Sequence, residues 1–197
     1  MTQELKGFLE QRTRGLRPDA GPGAAAAGYV RLLEELALRD CLTGLANRHI
    51  LEFELEQRLA TLRRYGAPFG VVLLDLDNFK AVNDRYGHPA GDQLLQAVAS
   101  SLRSSVREAD LPGRWGGEEF LVIAAFADCA GLAALAERVC RRIEATTAVV
   151  GRARPRTTCS IGATPCRETD DRQSLVGRAD HLLYESKTRG KNCITCE

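Results

Sequence analysis

Phe69-Gly70-Val71-Val72-Leu73-Leu74 is an unbroken apolar run of strand length, and it limits the folds open to this chain more than any other segment. A strand that is apolar at every position, with no polar alternation, has to be covered on both faces. The run therefore predicts a central strand between two layers of helices. It ends on Asp75-Leu76-Asp77, so the buried strand delivers carboxylates to its C-terminal end.

The flanking pattern supports such a layered fold. Apolar residues at helical spacing (Ile50, Leu51, Phe53, Leu55, Leu59, Leu62) predict a helix over 47–65. Further helices are expected over 78–86, 89–106, 130–146 and 174–188, and strands on either side of Gly116-Gly117, over 156–164 and over 192–195. Helical and extended segments that alternate in this way give an α/β (α+β) domain with a mixed sheet flanked by helices. Ahead of it, residues 1–28 read as an N-terminal arm and linker, broken by Arg17-Pro18-Asp19-Ala20-Gly21-Pro22-Gly23 and an alanine run. Residues 29–39 carry Tyr29, Leu32, Leu33 and Leu36 on one face, an amphipathic helix suited to signalling or dimerisation. The domain that carries the chemistry is expected over 40–197.

Composition narrows the function classes. The chain has 197 residues, 44% hydrophobic and 27% charged, with a formal net charge of +1. That balance gives no general attraction to nucleic acid or to a membrane surface. No run approaches the roughly 18 apolar residues of a membrane span, and no secretory signal pattern opens the chain. A cytoplasmic protein without membrane insertion is expected. Seven cysteines, odd in number and scattered, fit reduced thiols. Cys193 and Cys196 have CxxC spacing but lack the second pair that a zinc site needs.

Gly116-Gly117-Glu118-Glu119-Phe120 reads as a tight hairpin turn followed by two acids. Adjacent carboxylates repel and add nothing to strand packing, so their placement points to a divalent cation. Asp75, at the end of the central strand, is expected to face Glu118 across adjacent strands. Magnesium takes oxygen ligands at about 2.0 to 2.1 Å, so carboxylates with a backbone carbonyl such as that of Leu76 make a fitting donor set.

The residues after Asp75 make the pattern specific. Asp75-Leu76-Asp77-Asn78-Phe79-Lys80-Ala81-Val82-Asn83-Asp84 is followed by Gly87-His88-Pro89-Ala90-Gly91-Asp92 and then by the Gly-Gly-Glu-Glu-Phe hairpin. In this the chain resembles the GGDEF family of diguanylate cyclases, in a GGEEF variant. The likeness runs from about residue 40 to about 193. It includes Asp40-Cys41-Leu42-Thr43-Gly44-Leu45-Ala46-Asn47-Arg48, Ser160-Ile161-Gly162, and Arg178-Ala179-Asp180 with Tyr184 and Lys187.

The resemblance implies a ferredoxin-like, polymerase-palm-like domain that condenses two GTP to cyclic di-GMP and pyrophosphate as a homodimer, each subunit presenting one GTP. It implies two Mg2+ per half-site, with Mn2+ as an alternative, held by Asp75, the Leu76 carbonyl, Glu118 and Glu119. Glu118 would also be the base for the 3′-hydroxyl, and Lys80 would stabilise phosphate charge. Phe79, Asn83, His88, Asp92, Gly116 and Gly117 would surround the nucleotide. Asn83 and Asp92 would read guanine, whose N1-H and N2 amino group suit one carboxylate where adenine offers a bare acceptor at N1. Lys187 and Lys191 would hold the terminal phosphate.

Arg107 and Asp110 match the family's inhibitory R-x-x-D site for cyclic di-GMP, with Arg138 as a contact from a second subunit. The sequence departs from the family pattern at Lys191, where arginine is usual, at His49, and at Trp115. A regulatory protein acting on the N-terminal arm would fit the lack of a recognisable sensory domain. The rival reading is a catalytically silent domain that binds GTP or cyclic di-GMP as a receptor. It is disfavoured because the hairpin acids and Lys80 are present. An adenylyl or mixed-nucleotide cyclase is disfavoured by Asn83 and Asp92.

Overall fold

The computed structural model describes residues 38–197, and the expectations for the arm over 1–28 and for most of the helix over 29–39 lie outside the described residues. Over the compact unit Asp40–Glu197 the order is α1 (Arg48–Tyr65), β1 (Phe69–Leu76), α2 (Phe79–Tyr86), α3 (His88–Arg103), β2 (Leu111–Gly116), β3 (Glu119–Ala125), α4 (Cys129–Ala145), β4 (Cys159–Pro165), α5 (Arg172–Thr188) and β5 (Ile194–Cys196).

The five-stranded sheet has the order β2-β3-β1-β4-β5. β1 is antiparallel to both β3 and β4, β2 is antiparallel to β3, and β5 runs parallel to β4 at the edge. The first four strands have the ferredoxin-like order, with the apolar run Phe69–Leu74 at the centre. The reason is the one read from its sequence. Val72, Leu74 and Leu76 join one core with residues of α3 and α4. Phe69, Val71 and Leu73 join a second with Leu51, Leu55, Leu59 and Leu62 of α1 and Leu175, Ala179 and Leu183 of α5. Both cores are fully closed at Val71, Val72 and Leu74, where truncation to alanine would cost roughly 2 to 5 kcal/mol for a leucine.

Local signals set the element ends. The Asn47 side chain accepts from Ile50 N at 3.1 Å and starts α1, a cap that contributes about 1 kcal/mol. Gly66, at φ 66°, ends it in the left-handed conformation. Among the boundaries that differ from the sequence expectation, three matter for the site. α3 stops at Arg103 rather than 106, because the Ser104 and Ser105 hydroxyls turn back onto the Ser101 carbonyl at 3.0 and 2.7 Å. β4 begins at Cys159 rather than 156, because the Thr157 and Thr158 hydroxyls are drawn to Asp77. β1 runs on to Leu76, so Asp75 lies within the paired strand.

Gly162 explains the Ser-Ile-Gly motif. A Cβ there would lie 2.1 Å from the Ala179 carbonyl and 2.4 Å from the Leu183 nitrogen, so only glycine lets α5 pack this closely on β4. This contact seats the C-terminal half of α5, and with it Lys187, against the centre of the sheet.

Candidate active site

Asp75 lies within β1 and Asp77 just past its end, and the two acids have different surroundings. Asp77 is 5% exposed and fully engaged. Its Oδ1 accepts from the Ser160 hydroxyl at 2.7 Å, and its Oδ2 accepts from the Thr158 hydroxyl at 2.6 Å and from Asn192 N at 3.0 Å. It pins the start of β4 and the loop after α5 to the end of β1. Sequence reasoning gave it no role of its own, because its partners lie far along the chain.

Asp75 stands differently. Its partner in register on β3 is Glu119, whereas the sequence placed Glu118 opposite it. The difference comes from the turn. Gly116 closes β2 and Glu119 opens β3, so the two turn residues are Gly117, at φ 51°, and Glu118. The Glu118 carbonyl accepts from Leu76 N at 3.3 Å, which sets the turn beside the end of β1. A bulge at Trp115, where the β2–β3 register shifts between Arg114 and Gly116, brings the turn round to this position.

Burial raises the pKa of the Asp75 carboxyl, Lys187 opposes the rise, and the charges of Glu118 and Asp77 add to it. Glu119 is raised by burial, then by Asp75, with Asp180 and Glu118 contributing and Lys187 again opposing. Carboxylates that burial and mutual repulsion disfavour are suited to a cation, and an all-oxygen donor set suits a hard divalent one. In this structure the cation is Lys187, whose Nζ lies 3.1 Å from Asp75 Oδ2. Among the described residues no three His, Cys, Asp or Glu side chains converge on one point. The donor set expected from the sequence, Asp75, the Leu76 carbonyl and Glu118, would draw on only two side chains.

The helices after β1 supply the second wall. Asn78, at φ 55°, turns the chain from β1 into α2, and its side-chain oxygen accepts from Lys191 Nζ at 2.5 Å. Lys187 and Lys191 are thus both held at the end of β1. Lys80 is exposed in the first turn of α2, while Phe79 is buried beneath it. Asn83 lies over the start of α3: a Cβ on Gly91 would meet its Oδ1 at 1.9 Å and the Phe79 ring at 3.1 Å. Gly91 is therefore the residue that lets Asn83 pack against the start of α3, while its neighbour in sequence, Asp92, is exposed in the second turn of that helix. Asp92 does not cap that helix, since Gly87 occupies the cap position, and Asp75 does not cap α2. His88 is exposed at the first position of α3.

A clamp that sequence reasoning missed holds the hairpin. Arg114 donates through Nε and Nη2 to the Gly117 carbonyl at 2.9 and 2.7 Å, and its Nη1 lies 3.2 Å from Asp40 Oδ2. Burial raises Asp40, but hydrogen bonds from the Thr43 hydroxyl and amide, together with Arg114, outweigh it and leave the carboxyl below its ordinary value. Ala46 completes the attachment, accepting from Arg114 N at 2.8 Å. These contacts account for the Asp-x-Leu-Thr-Gly-Leu segment. Arg48 stacks over the Trp115 ring, 4.6 Å from its centroid. A cleft of about 400 Å3 opens beside this pair and runs to Glu119 and Asp180.

Arg107 and Asp110 meet at the opposite end of the hairpin. Asp110 accepts from Arg107 N at 2.9 Å and from Ala125 N at 3.1 Å. Arg138 reaches across from α4 to the Ser105 carbonyl at 2.7 Å. The Arg107 side chain is exposed. Cys193 precedes β5 and Cys196 is its last residue, both free thiols, with Cys193 Sγ on the Ser186 carbonyl at 3.1 Å. The Arg178 of Arg-Ala-Asp pairs with the nearly buried Asp170 at 2.5 Å and closes the end of the domain away from Asp75.

Residues 37–193 match the family described as "Diguanylate cyclase, GGDEF domain". The chain is 39% identical over 158 residues to diguanylate cyclase DgcS of Shewanella oneidensis, covering 80% of this chain and 52% of that protein. It is 38% identical over 163 residues to the response regulator PleD of Caulobacter vibrioides, covering 81% and 36%. The chain thus spans about half or less of the length of these curated relatives. Among solved structures, diguanylate cyclase SiaD in complex with its activator SiaC, from Pseudomonas aeruginosa, superposes with a TM-score of 0.79 at 33% identity, over 98% of this chain and 75% of that one. The GGDEF domain of DgcB from Caulobacter crescentus, in complex with c-di-GMP, gives 0.77 at 31% identity over 81% and 95%.

Proposed function

Because this chain belongs to the GGDEF-domain family of diguanylate cyclases, we propose that it condenses two GTP to cyclic di-GMP with release of two pyrophosphates. The observation that carries the reading is the meeting of Asp75 with the Glu118-Glu119 hairpin at the end of a buried strand, with Lys187 and Lys191 across from them. Acids and lysines face each other there as the metal and triphosphate of one nucleotide would require.

Asp75, the Leu76 carbonyl and Glu118 are the residues that would hold a magnesium or manganese ion, with Glu119 serving a second. Bound there, divalent ions would supply Lewis-acid neutralisation of the charge on the α-phosphate and the leaving pyrophosphate. The remaining steps belong to side chains. Asn83 and Asp92 orient guanine, and Asp92 accepts from its N1-H and N2 amino groups. A buried polar pairing of this kind rejects a base that lacks the donors by up to about 10⁴- to 10⁵-fold, which Asp92's exposure in the free protein reduces. Glu118 takes the proton from the 3′-hydroxyl. Lys80 and the pair Lys187 and Lys191 steady the phosphates, Lys191 as a point charge without the fork of an arginine.

One subunit offers one nucleotide, so the attacking hydroxyl comes from a second subunit across a two-fold axis. Product inhibition fits the other end of the hairpin. Asp110 already accepts two backbone hydrogen bonds, but a carboxylate has about four acceptor positions, which leaves capacity for guanine donors beside the exposed Arg107. SiaD is held by an activator protein, and a regulator acting on the segment before residue 38 is the corresponding proposal for this chain.

Incubation with GTP and Mg2+, followed by chromatography and mass spectrometry, should yield cyclic di-GMP and pyrophosphate. Nucleotide binding without turnover, in conditions where the chain dimerises, would reassign it as a receptor.

A further inference from the structure

Lys187 is expected to bind phosphate, yet its ammonium sits on the carboxylate expected to bind metal. Nζ lies 3.1 Å from Asp75 Oδ2, with the two side chains 35% and 14% exposed. The lysine stands at the end of α5, whose approach to the sheet is fixed by Gly162, and the next loop is tied to the same strand end by Asn192 N on Asp77 and by Lys191 on Asn78. The contact is therefore built by the fold on three sides. A divalent ion bonded to the same carboxylate oxygen at its usual length would stand within about 5 Å of the ammonium, and the two cations would repel.

We propose that Lys187 is the internal counter-ion of Asp75, holding the carboxylate until nucleotide arrives and then moving to the triphosphate, so that metal and GTP load together rather than metal first. The proposal rests on the placement of the metal at Asp75. A lysine suits this exchange, because its charge rides on a flexible four-carbon stem that can leave one anion for another without moving the helix. The gain lies in order of binding. A bare metal ion meets a carboxylate already paired, whereas a metal–nucleotide complex brings phosphate oxygens that take the lysine over. Linkage makes the effect reciprocal: whatever factor the nucleotide adds to metal affinity, the metal adds to nucleotide affinity.

The test is Mn2+ binding to the full chain without nucleotide, read as free Mn2+ by electron paramagnetic resonance. Lys187→Gln should bind Mn2+ about tenfold more tightly than wild type, the order expected for removing one charge at this separation in a partly solvated site. Lys187→Arg, which keeps the charge, should bind as wild type does. Adding a non-reactive α,β-methylene GTP should tighten Mn2+ binding several-fold in wild type and less in Lys187→Gln. Equal Mn2+ affinities for wild type and Lys187→Gln, or binding to neither, would overturn the proposal. Asp75→Asn separates the two readings. If it binds Mn2+ as wild type does, the metal is not at Asp75 and the placement itself falls. If it alone loses binding while Lys187→Gln is unchanged, only the counter-ion role falls.

Discussion

Arg114 on β2 and Asp40 in the segment before α1 form an ion pair at 3.2 Å, with both side chains less than a fifth exposed. The same guanidinium holds the Gly117 carbonyl with two hydrogen bonds, so the position of the hairpin turn depends on the residue where the domain begins. Lysine can keep the charge but cannot make three directed contacts from one plane. Arg114→Lys should lower kcat by about ten- to a hundredfold, since a displacement of about 1 Å at a reacting group has that effect, with a smaller change in KM. Steady-state kinetics on GTP read this, and an unchanged kcat would show that the clamp does not set the hairpin.

Glu119 is destabilising when ionised. Its folded pKa is raised by burial and by Asp75, so at neutral pH the folded chain holds a charge it disfavours, a cost absent once pH falls below the unfolded value, where both states are protonated. Glu119→Gln should therefore raise Tm in metal-free buffer at pH 7, by a modest amount because the group is partly solvated. The difference should close as pH approaches 4. Thermal denaturation across that range checks it, and a gain that grows towards acid would reverse the assignment.

Asn83 depends on Gly91. Gly91→Ala would push a methyl group into Asn83 Oδ1, so KM for GTP should rise while the fold loses roughly 1 to 3 kcal/mol. Asp92→Ala leaves that packing alone and should erode discrimination between GTP and ATP. Competition assays with the two nucleotides separate these outcomes, and unchanged discrimination in Asp92→Ala would remove it as the base reader.

Arg107 is exposed, and its backbone rather than its guanidinium is bound to Asp110. Arg107→Ala should therefore leave turnover and Tm near wild type while weakening inhibition by added cyclic di-GMP at least about tenfold, the loss of one stacked, forked arginine. An inhibition constant equal to the wild-type value would take this site out of the account.

What could be read from the sequence was local in the chain. The apolar run to Leu74 forced a central strand that delivers carboxylates to its C-terminal end. The Gly-Gly-Glu-Glu turn announced a hairpin with acids at its tip. What could not be read came from residues brought together by packing. Nothing near Arg114 indicates that its partner is Asp40, and nothing in Ser-Ile-Gly indicates that Gly162 lies under the Ala179 carbonyl. Nothing in the sequence assigned Asp77 a role, because the Ser160, Thr158 and Asn192 that saturate it lie far along the chain. Asp75 faces Glu119 because Glu118 belongs to the turn and β3 opens one residue later, a boundary that the Gly-Gly-Glu-Glu string alone does not reveal.

On the proposed function each chain carries half of a cyclase reaction site. Its most direct test is the initial rate of cyclic di-GMP formation per protomer across a dilution series, with the dimer fraction measured by sedimentation in the same buffer. Specific activity should track the dimer fraction and vanish as the chain becomes monomeric. A specific activity that stays level while the chain dissociates would contradict it.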